Sequence, residues 1–330
     1  MTSFAAAIDD RTQIAEARTA ARKLAWDMGF DETSAEQVAI VLTEAGTNLL
    51  KHAGGGRIFV RAIGSNSHTE IEVLALDKGP GIQSVDLSSR DGYSTSGTSG
   101  TGLGAIARLS RYCDIYSADG AGTALLARLC STRTRDHVDT GHIGAIQAPK
   151  PGEDVCGDQW GFHMSGRERT VLLADGLGYG PDAANAAGAA VDILNRHPEL
   201  PPGELLEAVH LALRSTRGAA AAIARLDEDR RIVMFAGLGN ISGLICAAGE
   251  PARNMVSTNG TAGVEARHIR EFTYPWAEGS LVILHSDGIG THWNLNGYPG
   301  LSARDPALIA GVIYRDHSRG NDDATILVSK

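Results

Sequence analysis

The chain has 330 residues, 43% of them hydrophobic and 21% charged, which supports ordinary packed cores and excludes a disordered chain. A net charge of −9 gives nucleic-acid binding little electrostatic support, and no run of about 18 apolar residues offers a membrane span. The length favours two domains, and MTSFAAAIDDRTQ lacks a basic region followed by a long apolar core, so a cytoplasmic location is expected.

Residues 11–28 and 34–53 alternate apolar and charged positions at helical spacing, with Ser34 expected to cap the second helix and Glu36 in its first turn. GGG at 54–56 ends that helix. RIFVRAIG and EIEVLALDKG then read as two antiparallel strands, followed by a Gly/Ser/Thr-rich stretch, 88–104. A helix near 103–112 and the strands CDIYSA and TALLARL close a first unit near Leu129. Helices followed by strands predict an α/β sandwich rather than a doubly wound sheet. Residues 131–139 (STRTRDHVD) are polar and without apolar periodicity, the composition of a linker. From residue 140 onward the chain alternates strands with two helical patterns, 181–196, which has Pro at its start, and 203–217. The apparent strands AAIARLD, RIVMFAGLG, ISGLICAA, SLVILHSDG and ATILVSK follow, and two helices beside many antiparallel strands predict a second layered sandwich. The four cysteines, Cys113, Cys130, Cys156 and Cys246, are scattered and apolar-flanked, as reduced core thiols would be.

Three segments of the first unit carry chemistry. Glu44 and Asn48 are four residues apart and share one helix face, where a carboxylate and an amide can handle a hydroxyl and a Mg²⁺ ion; helix surfaces carry such pairs constantly. Asp77 follows the strand IEVLAL and heads DKGPGI, where Gly79 and Gly81 permit close backbone approach and the carboxylate can accept from an exocyclic amine. GTSGTGLGAIARL places Gly100, Gly102, Leu103 and Gly104 at a helix start, where N–H groups and the helix dipole favour phosphates.

Taken in order, EAGTNLLKHA, DKGPGI and SGTGLGAI resemble the N-box and the two glycine boxes of the GHKL ATPase superfamily, specifically the RsbT/RsbW-like serine kinases of bacterial partner-switching systems. That resemblance implies ATP with Mg²⁺ as cofactor, Glu44 as general base if the domain is an active kinase, Asn48 as Mg²⁺ ligand and Asp77 as adenine reader. It also implies nucleotide contacts from Gly79, Gly81, Gly100, Gly102, Leu103, Gly104 and Thr123, under a flexible lid at 86–99. A degenerate nucleotide fold kept as a docking module is the alternative.

In the second half Asp158, Asp175, Asp287 and Asp322 each sit where an apolar stretch meets a turn, in VCGD, VLLADGLGYG, LVILHSDGIG and GNDDATILV. A half-desolvated carboxylate is costly unless neutralised, and four that converge select hard divalent cations, Mg²⁺ or Mn²⁺. Read singly, each could be a plain turn or loop charge. CGDQW, LLADGLGYGPDAANAA, LVILHSDGIGTHW and NDDATILV together resemble the SpoIIE-type branch of the PP2C-like protein phosphatases, most of all its small stress-system members of the RsbX type. The resemblance implies two Mn²⁺ or Mg²⁺ ions held by Asp158, Asp175, Asp287, Asp322 and the Gly176 carbonyl, with Asp322 rather than Asp323 as the last ligand. Tyr179 stands where many relatives have His, and Asn240 takes a structural loop position without a catalytic role.

The fold expected is therefore α/β (α+β): a GHKL-type α/β sandwich at 1–130, a linker at 131–139 and a PP2C-like α-β-β-α sandwich at 140–330. The function implied is a metal-dependent serine/threonine phosphoprotein phosphatase with an ATP-binding kinase-like domain. Its implied partner is a phosphorylated STAS-domain protein, with a bifunctional kinase/phosphatase, a nucleotide-dependent binding module or a small-molecule phosphohydrolase as alternatives.

Overall fold

In a computed structural model the described residues are 3–65, 68–82, 102–131, 142–247, 249–266 and 268–330. The expected lid at 86–99, Gly100, and the expected linker beyond Ser131 lie outside them. One unit is built from Met1–Gly141 with Ala307–Arg315, the other from His142–Pro306 with Asp316–Lys330. Among the described residues no helix is long and apolar enough to cross a membrane.

The first unit contains strands β1 (Ser3–Ile8), β2 (Gly56–Ser65), β3 (His68–Leu76), β4 (Tyr112–Ser117) and β5 (Thr123–Cys130), and helices α1 (Arg11–Asp27), α2 (Glu32–Asn48) and α3 (Gly102–Leu109). Its sheet has the order β1-β2-β3-β5-β4, with every pairing antiparallel. Alternation decides its faces. Ile58, Val60 and Ala62 on β2, Ile71, Val73 and Ala75 on β3, and Leu125, Ala127 and Leu129 on β5 pack into one core with Ile14, Ala21 and Leu24 of α1 and Val38, Leu42 and Ala45 of α2. β1 was not legible in SFAAAI, whose alanines have weak strand propensity; six backbone pairings to β2 hold it instead.

The helix starts show which side chains cap. Asp10 Oδ1 accepts from Thr12 N (2.7 Å) and Gln13 N (3.0 Å), and Gln13 Oε1 accepts from Asp10 N (3.0 Å), a reciprocal box that opens α1. For α2 the cap is Asp31, whose Oδ1 accepts from Ser34 N at 2.9 Å, not Ser34 as its sequence suggests. The Asp carboxylate reaches the third helical N–H, and Ser34 is left inside the first turn. After Asn48 the helix widens into a π-turn, Leu49–Ala53.

The sheet face opposite the helices carries a charge row. Arg61, Glu72 and Arg128 stand in register across β2, β3 and β5, with Arg61 Nε 2.6 Å and Arg128 Nε 2.9 Å from the two Glu72 oxygens. Burial alone would raise the Glu72 carboxyl, but the two guanidinium groups overcome it and hold it below the usual carboxylate range. Residues of the final helix pack with this unit too: a Cβ on Gly311 would come within 2.9 Å of Leu74 and Leu76.

The second unit contains β6 (Ile143–Ala148), β7 (Asp158–Ser165), β8 (Glu168–Gly176), β9 (Ala219–Asp227), β10 (Ile232–Leu238), β11 (Ser242–Cys246), β12 (Arg253–Met255), β13 (Glu271–Pro275), β14 (Leu281–His285) and β15 (Ala324–Ser329). Helices α4 (Pro181–Arg196) and α5 (Pro202–Ala212) and part of α6 (Pro306–His317) complete it. Two antiparallel sheets, β13-β10-β9-β8-β7 and β12-β11-β14-β15-β6, face each other through Val171, Leu173, Ala222, Phe235, Leu284 and Leu327. The other face of the first sheet, with Leu172, Ala174 and Ile223, packs on Ala187, Leu194, Leu205 and Leu206 of α4 and α5. β8 is buried on both faces, and so VLLA reads as an unbroken apolar run. The sequence pattern did not reveal α6, β12 or β13. In α6, PALIAGVIYRDH, residues 307–310, 312 and 313 are all fully buried, so the helix lacks the polar face by which a helical period is recognised.

Candidate functional sites

In the first unit hydrogen bonds join the turn after β3 to the start of β5. Asp77 Oδ1 accepts from Gly79 N (2.8 Å) and Thr123 N (3.1 Å), while Asp77 N donates to Thr123 O (2.9 Å). Asp77 and Thr123, separate motifs in the sequence, are thus brought together. Burial raises the Asp77 carboxyl, and the bonds from Gly79 and Thr123 oppose the rise. Gly81 has φ +79°, and a Cβ there would lie 2.2 Å from the Ala118 carbonyl oxygen, so only glycine fits. Thr123 Oγ1 also meets Ser117 Oγ at 3.0 Å, and Ser117 Oγ accepts from Ile82 N at 2.8 Å, which ties the glycine turn to the sheet.

The start of α3 closes on the Glu44–Asn48 face. A Cβ on Gly102 would lie 2.9 Å from Glu44 Oε2 and 3.3 Å from Asn48 Oδ1. Two motifs that the sequence offered separately, the Glu44–Asn48 face and the glycine run, are thus brought together. Leu103 packs against the core, so its side chain anchors the glycine turn, and Gly104 is buried beside it. The Asn48 amide nitrogen is buried without a hydrogen-bond partner among the described residues. An orphaned buried amide beside a carboxylate and a glycine helix start fits a Mg²⁺–nucleotide group.

In the second unit Asp158 opens β7 and Asp175 stands opposite it near the end of β8, in one antiparallel pair. Asp287 follows β14 and Asp322 precedes β15, so all four carboxylates sit at strand ends. Asp158 is fully buried; its Oδ2 accepts from Ser286 Oγ at 2.7 Å, and its Oδ1 has no partner among the described residues. Asp287 Oδ2 accepts from Asn240 Nδ2 at 2.9 Å. Asp323 is committed elsewhere: its oxygens accept from Lys150 N (2.8 Å) and Gly157 N (3.0 Å), closing the loop that leads into β7. Asp322 accepts only from the adjacent Asp323 N, at 2.9 Å, among the described residues, which leaves it the freer of the two. At Gly176 a Cβ would lie 2.0 Å from the Ala183 carbonyl oxygen, so a side chain is excluded where β8 passes into the loop before α4.

The electrostatics bind the four together. Burial, then the charges of Asp158 and Asp287, with Asp322 adding to them, push the Asp175 carboxyl up to about 9. Asp158 is pushed up to about 7, chiefly by burial, and Asp287 is raised by burial and by Asp322. Among the described residues no three acidic, His or Cys side chains close tightly enough to cage one ion as they stand. The donor set still fits hard divalent cations: like charges at four strand ends and an orphaned oxygen on the fully buried Asp158.

A pH-dependent metal response is expected. Carboxyls that hold their protons to higher pH in the folded chain contribute stability that is complete below about pH 4. That stability is lost as pH rises through about 7 for Asp158 and about 9 for Asp175. A divalent cation removes the repulsion, so the Tm rise on adding Mn²⁺ should grow between about pH 5 and about pH 9. Differential scanning fluorimetry across that range checks it, and a pH-independent shift would sink it.

Ser286 and Asn240 were missed or set aside by sequence reasoning; Ser286 lies in HSDG, one residue before the expected ligand, and that adjacency was the available signal. The cysteines supply no nucleophile to the acidic centre. Cys156 and Cys246 are buried, burial drives both thiols up, Cys246 to about 12, and Cys113 and Cys130 are half-buried rather than core residues.

Comparison with known proteins finds one family model in each half of the chain. A histidine kinase-like ATPase domain model matches residues 8–129, and the stage II sporulation protein E (SpoIIE) model matches residues 165–330. The serine/threonine-protein kinase RsbT of Bacillus subtilis (strain 168) is 31% identical over 114 residues, 34% of this chain and 86% of that protein. The phosphoserine phosphatase RsbX of the same organism is 24% identical over 150 residues, 45% of this chain and 75% of that protein. Among solved structures, a chain from work on the bacterial stressosome as a modular system matches at TM-score 0.54 and 26% identity, covering 57% of this chain and 98% of that one. RsbX in complex with magnesium matches at TM-score 0.51 and 21% identity, covering 58% and 96%, which supports the fold.

Proposed function

For a chain that belongs to the SpoIIE family through its second half and carries a histidine kinase-like ATPase domain in its first, we propose the function of a cytoplasmic, metal-dependent serine/threonine phosphoprotein phosphatase governed by an ATP-binding half. The proposed partner is a phosphorylated STAS-domain protein of a bacterial partner-switching pathway. The carrying observation is the set of four strand-end aspartates, in which the fully buried Asp158 keeps one unpartnered oxygen and stands opposite the half-buried Asp175 in the β7–β8 pair.

Two divalent cations held by Asp158, Asp175, Asp287, Asp322 and the Gly176 carbonyl would acidify a water and offset charge on the phosphoryl oxygens. The chain's own residues prepare the rest. Ser286 fixes the orientation of Asp158, and Thr325 N in turn donates to Ser286 Oγ at 2.9 Å. Asn240 holds one Asp287 oxygen and so restricts the rotation of its carboxylate. Asp323 clamps the entry loop at both ends and so keeps Asp158 at its strand start. Phosphate release from a phosphorylated STAS-domain protein, with Mn²⁺ and after chelation, tests the reading. Equal turnover of free phosphate esters would point instead to a small-molecule phosphohydrolase.

The first half supports a second activity, phosphoryl transfer from ATP to the same partner, because Glu44 lies against the glycine start of α3. As general base, Glu44 would be worth about 10²- to 10⁴-fold in turnover. Glu44→Ala is therefore expected to lower phosphorylation of a STAS-domain protein at least about 100-fold while ATP still binds. Radiolabelled ATP and calorimetry separate the two; no transfer by the wild-type chain would leave a nucleotide-dependent binding module.

A further inference from the structure

We propose that helix α6 couples the nucleotide turn to the metal centre: Arg315 on it holds the Asp77 peptide, and the residues just beyond it set the loop that carries Asp287. The proposal rests on the nucleotide and phosphatase readings above and names the device that joins them. Its first part lies inside the first unit, to which Ala307–Arg315 belong. Gly311 sits so close to Leu74 and Leu76 that a Cβ would come within 2.9 Å of each. The Tyr314 ring meets Phe59 edge-on, with centroids 5.1 Å apart, and its hydroxyl accepts from Arg57. Phe59 pairs with Leu74 and Arg57 with Leu76 across β2 and β3, so these contacts make one continuous seat leading to Asp77. At its end the buried Arg315 donates from Nη1 to the Asp77 carbonyl oxygen at 3.2 Å. A Cβ on Gly122 would lie 2.0 Å from that same oxygen, and Asp77 N donates to Thr123 O. The Asp77 peptide is thus held on several sides, and a nucleotide that engages its carboxylate also fixes Arg315.

The second part lies inside the second unit, which takes up the chain again at Asp316. Helix α6 ends at His317, and the three residues 317–319 pair with the three that follow Asp287. His317 O accepts from Gly290 N at 2.8 Å, Ser318 bridges to Ile289, and Arg319 N donates to Gly288 O at 2.9 Å. The Tyr298 hydroxyl fastens the helix end, donating to Asp316 Oδ2 at 3.0 Å and meeting His317 Nε2 at 2.9 Å. A Cβ on Gly288 would lie 2.0 Å from the Asp323 carbonyl oxygen, so the same loop abuts the neighbour of Asp322. Each set of contacts stays within one unit, and the Arg315–Asp316 peptide, inside a helical turn, joins them. Residues 307–310, 312 and 313 are fully buried, and a close-packed helix shifts as a body rather than bending. Among the described residues no three ligand side chains cage an ion as they stand, so closing the centre requires movement. Asp287, half-buried on a loop, is the carboxylate placed to supply it. Nucleotide that fixes α6 therefore favours the closed loop and tighter metal binding, and by linkage the metal favours nucleotide to the same degree.

The test uses the full chain, p-nitrophenyl phosphate as substrate and ADP as nucleotide, with free Mn²⁺ fixed by a metal buffer. Saturating ADP is expected to lower the free Mn²⁺ needed for half-maximal phosphate release about 5- to 150-fold. In Arg315→Met, which keeps the length of the side chain and removes its donors, that shift is expected to fall below about twofold, the scale of an absent coupling. Phosphate release without ADP is expected to stay at the wild-type level in the same variant. Tyr298→Phe, which loosens the other end of the device and keeps its ring, is expected to shrink the ADP effect as well. A full ADP effect in both variants would overturn the proposal, and if Arg315→Met fails to fold, Tyr298→Phe alone decides. A wild-type chain that binds ADP and releases phosphate, yet shows no ADP effect, overturns the coupling and leaves both site readings standing. If no phosphate is released, the phosphatase reading fails by itself, and the Mn²⁺-induced rise in Tm with and without ADP then decides the coupling. If calorimetry finds no ADP binding, the nucleotide reading fails and the coupling falls with it.

Discussion

Replacing Asp175 by Asn is expected to lower metal-dependent phosphate release by about a thousandfold or more, since loss of even an outer-shell partner typically costs about 10- to 100-fold. The same variant should lose most of the Mn²⁺-induced rise in Tm. Its metal-free Tm at neutral pH should stay close to that of the wild type. Burial and the charges of Asp158 and Asp287 keep the Asp175 carboxyl protonated up to about 9, so an uncharged amide imitates the state already present. Steady-state assays with a phosphorylated STAS-domain protein and scanning fluorimetry with and without Mn²⁺ measure both effects. Retained turnover, or a collapse of metal-free stability, would remove Asp175 from the metal centre.

The second large effect concerns the nucleotide. Asp77→Asn should weaken ADP and ATP binding about 100-fold, the scale of losing a bond to a charged group and leaving a mismatched donor. One Asp77 oxygen already accepts from Gly79 N and Thr123 N, and an Asn Oδ1 can keep both bonds, so the fold should survive. The other position changes from acceptor to donor and would then oppose an exocyclic amine. Isothermal calorimetry with Mg²⁺ and each nucleotide, beside a Tm control, gives the answer. Unchanged affinity would show that Asp77 is only a turn residue.

The two halves differ in how they could be read. In the first, the motif residues lie in short segments whose glycines and periodicity are local, and Glu44, Asn48, Asp77 and Gly102 were all visible as candidates before any contact was known. What stayed hidden there was β1, built from alanines and held by its pairing to β2, and the choice of Asp31 over Ser34 as cap, which depends on side-chain reach. In the second, the long apolar runs marked β8, β9 and β14, but the same property concealed α6. A helix buried on every side has no period to display.

The candidate centre shows the same division at finer scale. By itself the sequence determined that four aspartates stand where apolar runs meet turns, three of them next to a glycine, because strand, turn and glycine signals each reside within a few residues. The tertiary structure alone decided which partners hold them. Ser286 reaches Asp158 across 128 positions of chain, Asn240 reaches Asp287 across 47, and Lys150 reaches Asp323 across 173. It also separated Asp322 from Asp323, adjacent and chemically identical, by giving one of them two backbone donors to satisfy. Hydrogen-bond partners are chosen by proximity in space, and a buried carboxylate takes whatever donor the packed sheets bring to it.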